Sequence, residues 1–206
     1  MRIDPAEIAL PQMYSFLTSA VVPRPIAFVS TRSTSGAFNL APFSYFIAIS
    51  SAPPLIGLAV VDRKDDPKDT LRNIRETGEF VINAVDEDLL PAMVQTAGEW
   101  PTGVSEFEVA GLTPAASEKV QAPSVQESPI HLECRLHREI PLGNAFFLVG
   151  EIVLARVDDR VLTEGRVDPA KLRPVGRLGG EFYMPFRELA KVQRPRISRS
   201  SGQPLT

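Results

Sequence analysis

Cysteine, histidine and surplus positive charge are all scarce in this chain of 206 residues, and each scarcity removes a class of function. A single cysteine, Cys134, cannot close an internal disulfide, which excludes the stapled framework of small secreted domains. Cys134 sits in an alternating apolar segment where a small buried thiol fits, and a reducing cytoplasm is the expected compartment. The two histidines, His131 and His137, flank that cysteine. On a strand rising about 3.3 Å per residue they would stand roughly 20 Å apart with Cys134 on the opposite face, so one metal ion cannot take all three. No metal site is expected.

A formal net charge of -3 provides no basic field to attract nucleic acid. Long hydrophobic runs are missing as well. The longest, residues 55–61 and 145–149, fall far short of the roughly 20 apolar residues of a membrane span. Residues 1–8 carry Asp4 and Glu7 where a secretory signal would be apolar. A soluble protein without a targeting signal is expected. No G-x-G-x-x-G follows a candidate strand, and neither a Walker-type phosphate loop nor a G-x-S-x-G elbow occurs. Rossmann, P-loop and α/β-hydrolase chemistry therefore find no footing.

What is present is ordinary globular material: 44% hydrophobic and 23% charged residues suffice to fill a sizeable core. One domain over residues 1–186 is expected, followed by a basic tail over 187–206, where Lys191, Arg194, Arg196 and Arg199 alternate with Ser and Pro. Residues 25–31 alternate Ile26, Phe28 and Ser30 with Ala27, Val29 and Thr31, the period of a strand covered on both faces. Runs at 44–49, 55–61, 80–84, 130–136 and 145–157 are bounded by Gly, Pro, Ser or Asp. These runs predict a mainly β chain, an all-β barrel with helical excursions.

Two helices are expected. Asp66-Pro67-Lys68-Asp69-Thr70 supplies a capping acid, proline at the first helical position and a second acid, with Leu71 and Ile74 on one face and Gly78 as a stop. Residues 86–97 place Leu89, Leu90, Met93 and Val94 at helical spacing, with Pro91 in the first turn or at a bend. Residues 100–128, loose and rich in Pro and Gly, read as an excursion from the barrel.

The start of the Asp66 helix is the strongest physical argument for an anion site. Unpaired N–H groups and the positive end of the dipole point outward there, with Lys68 and Thr70 adding a charge and a hydroxyl. The alternative is that Asp66 merely caps the helix while Lys68 is solvated. Ser30 and Thr31 end a strand before the 32–37 loop, either as ordinary turn residues or as two hydroxyls for the same phosphate. In Asn39-Leu-Ala-Pro-Phe-Ser44, proline rigidifies a loop and small residues let backbone approach a flat ligand; a rigid hairpin turn is the competing reading. Near the end, Arg177-Leu-Gly-Gly-Glu-Phe-Tyr183 sets glycines beside an anion-binding and a stacking side chain.

The order of these pieces resembles the flavin-reductase-like, FMN-binding split-barrel proteins over residues 21–183, and most of all a flavoredoxin-like branch with an Arg-Leu-Gly-Gly-x-x-Tyr ending. That resemblance implies a Greek-key split β-barrel with peripheral helices, a homodimer, and FMN reduced by NADH or NADPH. Electrons would pass to free flavin or a partner monooxygenase. An FMN-binding electron carrier or flavin store is the alternative. It further implies that Ser30, Thr31, Lys68 and Thr70 hold the phosphate, with Asp69 shaping that turn. Asn39, Leu40, Ala41, Pro42, Ser44 and Phe46 would line the ring and ribityl chain, and Arg177, Gly179 and Tyr183 would close the site. Many relatives carry Gly-Asp-His before the late strand, whereas this chain reads Gly143-Asn144-Ala145, so a catalytic residue is not assigned.

Overall fold

Alternation along the first strand sets up two cores at once. Ala27 and Val29 face one hydrophobic cluster, Ile26 and Phe28 face another, and none of the four is more than 8% exposed. The computed structural model describes residues 1–61, 67–98, 100–101, 104–193 and 195.

Among them, helix α1 (Leu10–Ala20) precedes strands β1 (Ala27–Arg32), β2 (Phe38–Phe43), β3 (Phe46–Ser51) and β4 (Pro54–Val61). Helix α2 (Asp69–Thr77), strand β5 (Glu79–Asn83) and helices α3 (Leu90–Gln95) and α4 (Glu106–Ala110) come next. The short strands β6 (Pro114–Ala115) and β7 (Ser124–Val125) lead to the long hairpin β8 (Ile130–Leu142) and β9 (Ala145–Val157). Strands β10 (Leu162–Thr163) and β11 (Arg166–Val167), helix α5 (Pro169–Leu172), and strands β12 (Val175–Arg177) and β13 (Tyr183–Pro185) complete the order.

Seven strands form one antiparallel sheet in the order β2-β1-β5-β8-β9-β4-β3. Its two edge strands, β2 and β3, are consecutive in the chain with only Ser44 and Tyr45 between them. The sheet must therefore curl until its edges approach, giving a barrel that stays open along this seam. Two register shifts in the β8–β9 ladder supply local bends. The barrel core gathers Val29, Leu58, Phe80 and Leu148 with Leu71 and Ile74 of α2. The second core packs Phe28 and Leu40 under α3, α4 and β7, through Met93, Phe107 and Val125. The excursion expected over 100–128 is thus a cover over the outer face of β1 and β2.

Three expectations are corrected. The segment read as a rigid loop, Asn39 to Phe43, is most of strand β2. Pro42 is tolerated because β2 is an edge strand, where a missing N–H need not break a ladder. Helix α2 starts at Asp69, not at Pro67: Lys68 keeps an extended ψ of 139°, and its carbonyl accepts the first helical bond from the Arg72 N–H at 3.0 Å. Asp66, the expected cap, lies outside the described residues. Gly78 ends the helix at φ 71° as expected. The helix sought over 86–97 is shorter, with Pro91 in its first turn. Helix α1 was not anticipated, although Leu10, Met13, Tyr14 and Leu17 stand at helical spacing; Leu10, Tyr14 and Leu17 are exposed on it.

At the other end of the chain, β12 pairs with β13, and Arg24 and Arg177 bridge to each other. Beyond this ending, Arg187 pairs with Glu87 at 2.6 Å; residues 194 and 196–206 of the expected tail lie outside the described residues. No helix among those described is long and apolar enough to cross a membrane.

Candidate functional site

The seam between the barrel's edges opens into two adjoining cavities. The first, about 380 Å³, is walled by Tyr14 of α1, by Ser44 and Tyr45 at the seam, by Val61 of β4, and by Arg177 and Tyr183 of the ending. The second, about 270 Å³, lies between Asn39 and Ala41 of β2, the start of α2 at Asp69 and Thr70, and Trp100 and Glu106 of the excursion. Pro42, Phe43, Lys68 and Ala97 line both. Together they fall within the roughly 300–1,000 Å³ typical of small-molecule sites.

Each wall is fixed by identifiable bonds. Arg24, 6% exposed, donates to the carbonyls of Val21 at 2.7 Å and Leu178 at 2.9 Å and to Ser44 Oγ at 3.2 Å. It also donates to the Thr18 carbonyl, so one guanidinium joins α1, the seam and the ending. At the second cavity, Asn39 Nδ2 donates to Thr70 Oγ1 at 2.9 Å, while Asn73 Nδ2 donates to Thr31 Oγ1 at 2.9 Å. Glu106 Oε2 accepts the Leu40 N–H at 3.1 Å.

The electrostatics differ along the groove. Lys68 Nζ lies 5.4 Å from the centroid of Phe43, at the wall common to both cavities. Asp69 is paired with Arg72, which leaves the first turn of α2 without a net added charge. Burial raises the Glu106 carboxyl above its usual range, partly offset by backbone N–H donors. Burial, with Tyr14 next in effect, also raises the Tyr45 hydroxyl, which therefore stays neutral and able to donate.

Of the residues singled out in the sequence, Asn39, Ala41, Pro42, Lys68, Asp69 and Thr70 meet at the second cavity, and Pro42, Ser44, Lys68, Arg177 and Tyr183 at the first. Five others are not brought there. Ser30 is fully buried; its hydroxyl donates to the Pro123 carbonyl and accepts from Asn83 Nδ2 at 3.1 Å. Thr31 is fully buried beneath α2. Leu40 belongs to the second core, and Phe46 packs against the barrel core. Gly179 serves close packing: a Cβ there would stand 2.4 Å from Ser19 Oγ. Sequence reasoning missed Arg24, Asn73, Glu106 and Tyr45. Arg24 alone left a trace, as a charge between two prolines in Pro23-Arg24-Pro25.

The donor set fits a phosphate-bearing flavin. A cation, a hydroxyl and the N-terminal turn of α2 converge where a phosphate is best held, and Pro42, Phe43 and Ala41 give apolar contact beside it. Tyr45, Arg177 and Tyr183 offer polar and stacking groups to the far end.

Residues 18–171 match the family described as flavin reductase like domain. An uncharacterised protein, BH2278, of Halalkalibacterium halodurans is 42% identical over 97% of this chain and 99% of its own length. The structure is similar to nitrilotriacetate monooxygenase component B from Bacillus cereus, with a TM-score of 0.90 and 37% identity over 93% of this chain and 98% of that one. It is also similar to the 2-nitrobenzoate 2-nitroreductase NbaA of Pseudomonas fluorescens, with a TM-score of 0.87 and 33% identity over 98% of this chain and 100% of that one. The open barrel, the two-part groove at its seam and the match over residues 18–171 lead to one conclusion: this chain belongs to the flavin-reductase-like domain family.

Proposed function

We propose that the chain is an FMN-binding oxidoreductase that takes hydride from NADH or NADPH and passes the electrons to free flavin or to a partner monooxygenase, working as a homodimer. The observation that carries this reading is the meeting of Lys68, Thr70 and the start of α2 at one end of a groove whose other end is walled by Tyr45, Arg177 and Tyr183. The name of the Bacillus cereus protein, a monooxygenase component B, supports electron supply to a partner. That of the Pseudomonas fluorescens protein, a nitroreductase, supports reduction of a bound acceptor.

Once bound, FMN would supply the hydride-accepting and electron-releasing chemistry, as organic cofactors do. The chain's own residues place and shield it. Lys68 neutralises phosphate charge, and the Thr70 hydroxyl, whose oxygen already accepts from Asn39, keeps its proton to donate. Pro42 and Phe43 exclude water from one side of the groove. Tyr45 and Arg177 face the other end as hydrogen-bond donors. None of these groups is needed as a general acid or base, since hydride transfer depends chiefly on orientation.

Anaerobic addition of NADH, and separately NADPH, to the FMN-loaded protein tests the reading: rapid loss of the visible flavin absorbance is expected with one of them. A protein that does not bind FMN at all would sink it.

A second reading, an FMN-binding electron carrier, is favoured by Ala145. That residue pairs with Val61 across β4 and β9, and Val61 lines the first cavity, so a methyl group stands near the groove where many relatives present an imidazole. A flavin that stays oxidised with both nicotinamides would select this reading.

A further inference from the structure

Thr31 and Asn39 are direct partners across the β1–β2 ladder, and Thr70 and Asn73 lie on the same buried face of α2, one turn apart. The four side chains close a rectangle. From the sheet, Asn39 donates to Thr70; from the helix, Asn73 donates to Thr31; both bonds measure 2.9 Å. All four residues are at most 8% exposed, so a lost partner leaves a largely buried polar group poorly satisfied. The two bonds run in opposite senses and sit at successive positions along the helix, which fixes both the height and the rotation of its first turn against the sheet.

We propose that Asn73 and Thr31 are positioning residues for the phosphate end of the flavin site: they act through α2 and do not touch the ligand. This rests on the FMN-binding reading above. The Asn39–Thr70 bond orients a hydroxyl that lines the second cavity. The Asn73–Thr31 bond lies one turn further into the helix and outside that cavity, and it holds the helix so that Lys68, Asp69 and Thr70 face the groove. Thr31 thus serves the site from beneath, in place of the direct phosphate contact that the family resemblance implies.

The readout is the ratio of FMN to riboflavin affinity, because only the phosphate distinguishes the two. Trp100, the chain's one tryptophan, lines the second cavity, so its emission together with flavin fluorescence reports binding. Thr31→Val and Asn73→Leu are expected to weaken FMN about tenfold, the scale of one broken buried bond, while riboflavin affinity stays within about twofold. Thr31→Ser, which keeps the accepting oxygen, is expected to retain the parental ratio. A parental ratio in folded Thr31→Val or Asn73→Leu overturns the proposal, as does equal weakening of both flavins. Where a buried substitution yields no folded protein, Thr31→Ser carries the test, and a collapsed ratio there overturns it. A parent protein that binds FMN no better than riboflavin refutes the phosphate placement itself, a different failure from variants that match a discriminating parent.

Discussion

Arg177 lays its guanidinium over the ring of Tyr183, 4.3 Å from the centroid, and the two are direct partners across the β12–β13 pair. The cation sets the tilt of the ring, and the ring limits the reach of the cation, in the wall of the first cavity. At a half-exposed site such a contact is worth about 0.5–1 kcal/mol. Tyr183→Phe keeps the aromatic face and is expected to hold flavin affinity within about twofold, whereas Tyr183→Leu and Arg177→Met lower it about three- to fivefold. A flavin fluorescence titration checks this. Equal losses for the Phe and Leu variants would assign the effect to the hydroxyl and not to the stacked face.

Arg24 holds the same wall from behind. Its removal leaves the carbonyls of Thr18, Val21 and Leu178 and the Ser44 hydroxyl without their charged donor. Hydrogen bonds to charged groups contribute about 1.5–3 kcal/mol each, and they are not additive. Arg24→Met is therefore expected to cost about 3 kcal/mol, lowering the melting temperature by about 6–12 °C for a chain of this size. Thermal unfolding followed by circular dichroism checks it, and a shift below about 2 °C would mean that α1 and the ending are held by packing alone.

The parts of this architecture that were legible in sequence are those whose signals are local. Strand β9 spans Ala145–Val157, as read, because Gly143 and Asn144 punctuate one end and Asp158 and Asp159 the other. Strand β2 was hidden because Asn39 and Pro42 are turn-forming types, and only the edge position, a property of the whole sheet, makes them acceptable. Ser30 and Thr31 look like one pair of hydroxyls, yet neighbours on a strand point to opposite faces. Ser30 goes to Pro123 and Thr31 to Asn73. Glu133 is fully buried in mid-strand, and its carboxylate accepts the Glu118 N–H at 3.0 Å and the Lys119 N–H at 2.6 Å. Nothing near it in sequence announces partners fourteen and fifteen residues away. The candidate site follows the same division: Lys68 and Thr70 were visible from the helix start, whereas Arg24, Asn73 and Glu106 acquire meaning only from long-range contacts.

Glu106 gives the fold a pH dependence with a definite sign. Burial raises its folded-state pKa above the ordinary value of 4.5, so the folded chain binds more protons than the unfolded chain in the window above that value. Stability linked to this group is full below the ordinary glutamate pKa and declines as pH rises through the raised one. Glu106→Gln keeps an oxygen for the Leu40 N–H and removes the charge. It is expected to flatten that decline and to raise the melting temperature near neutral pH. The same change removes a negative charge from the wall of the second cavity, so FMN should bind more tightly while riboflavin is unaffected. Melting curves from about pH 4 to 8 decide the first point, and a variant curve parallel to the parent's would show that Glu106 does not carry the dependence.

The strongest separation of the two functional readings comes from Ala145. Gly143 turns the β8–β9 hairpin with φ at 61°, and Ala145, the first residue of β9, faces the same side of the sheet as its partner Val61. A longer side chain there can reach toward the groove without displacing a core residue, since the position is only partly buried. An imidazole at this place would orient an incoming nicotinamide and would not need to move a proton. If the chain is a carrier because it lacks that group, Ala145→His should convert a slow loss of flavin absorbance with NADH into one at least about tenfold faster, with FMN affinity unchanged. If the parent already bleaches quickly and the variant matches it, the groove orients nicotinamide through its own walls, and the reductase reading stands without an imidazole. A parent and variant that both stay oxidised would place the electron donor outside the nicotinamides and leave the chain a carrier whose donor is another protein.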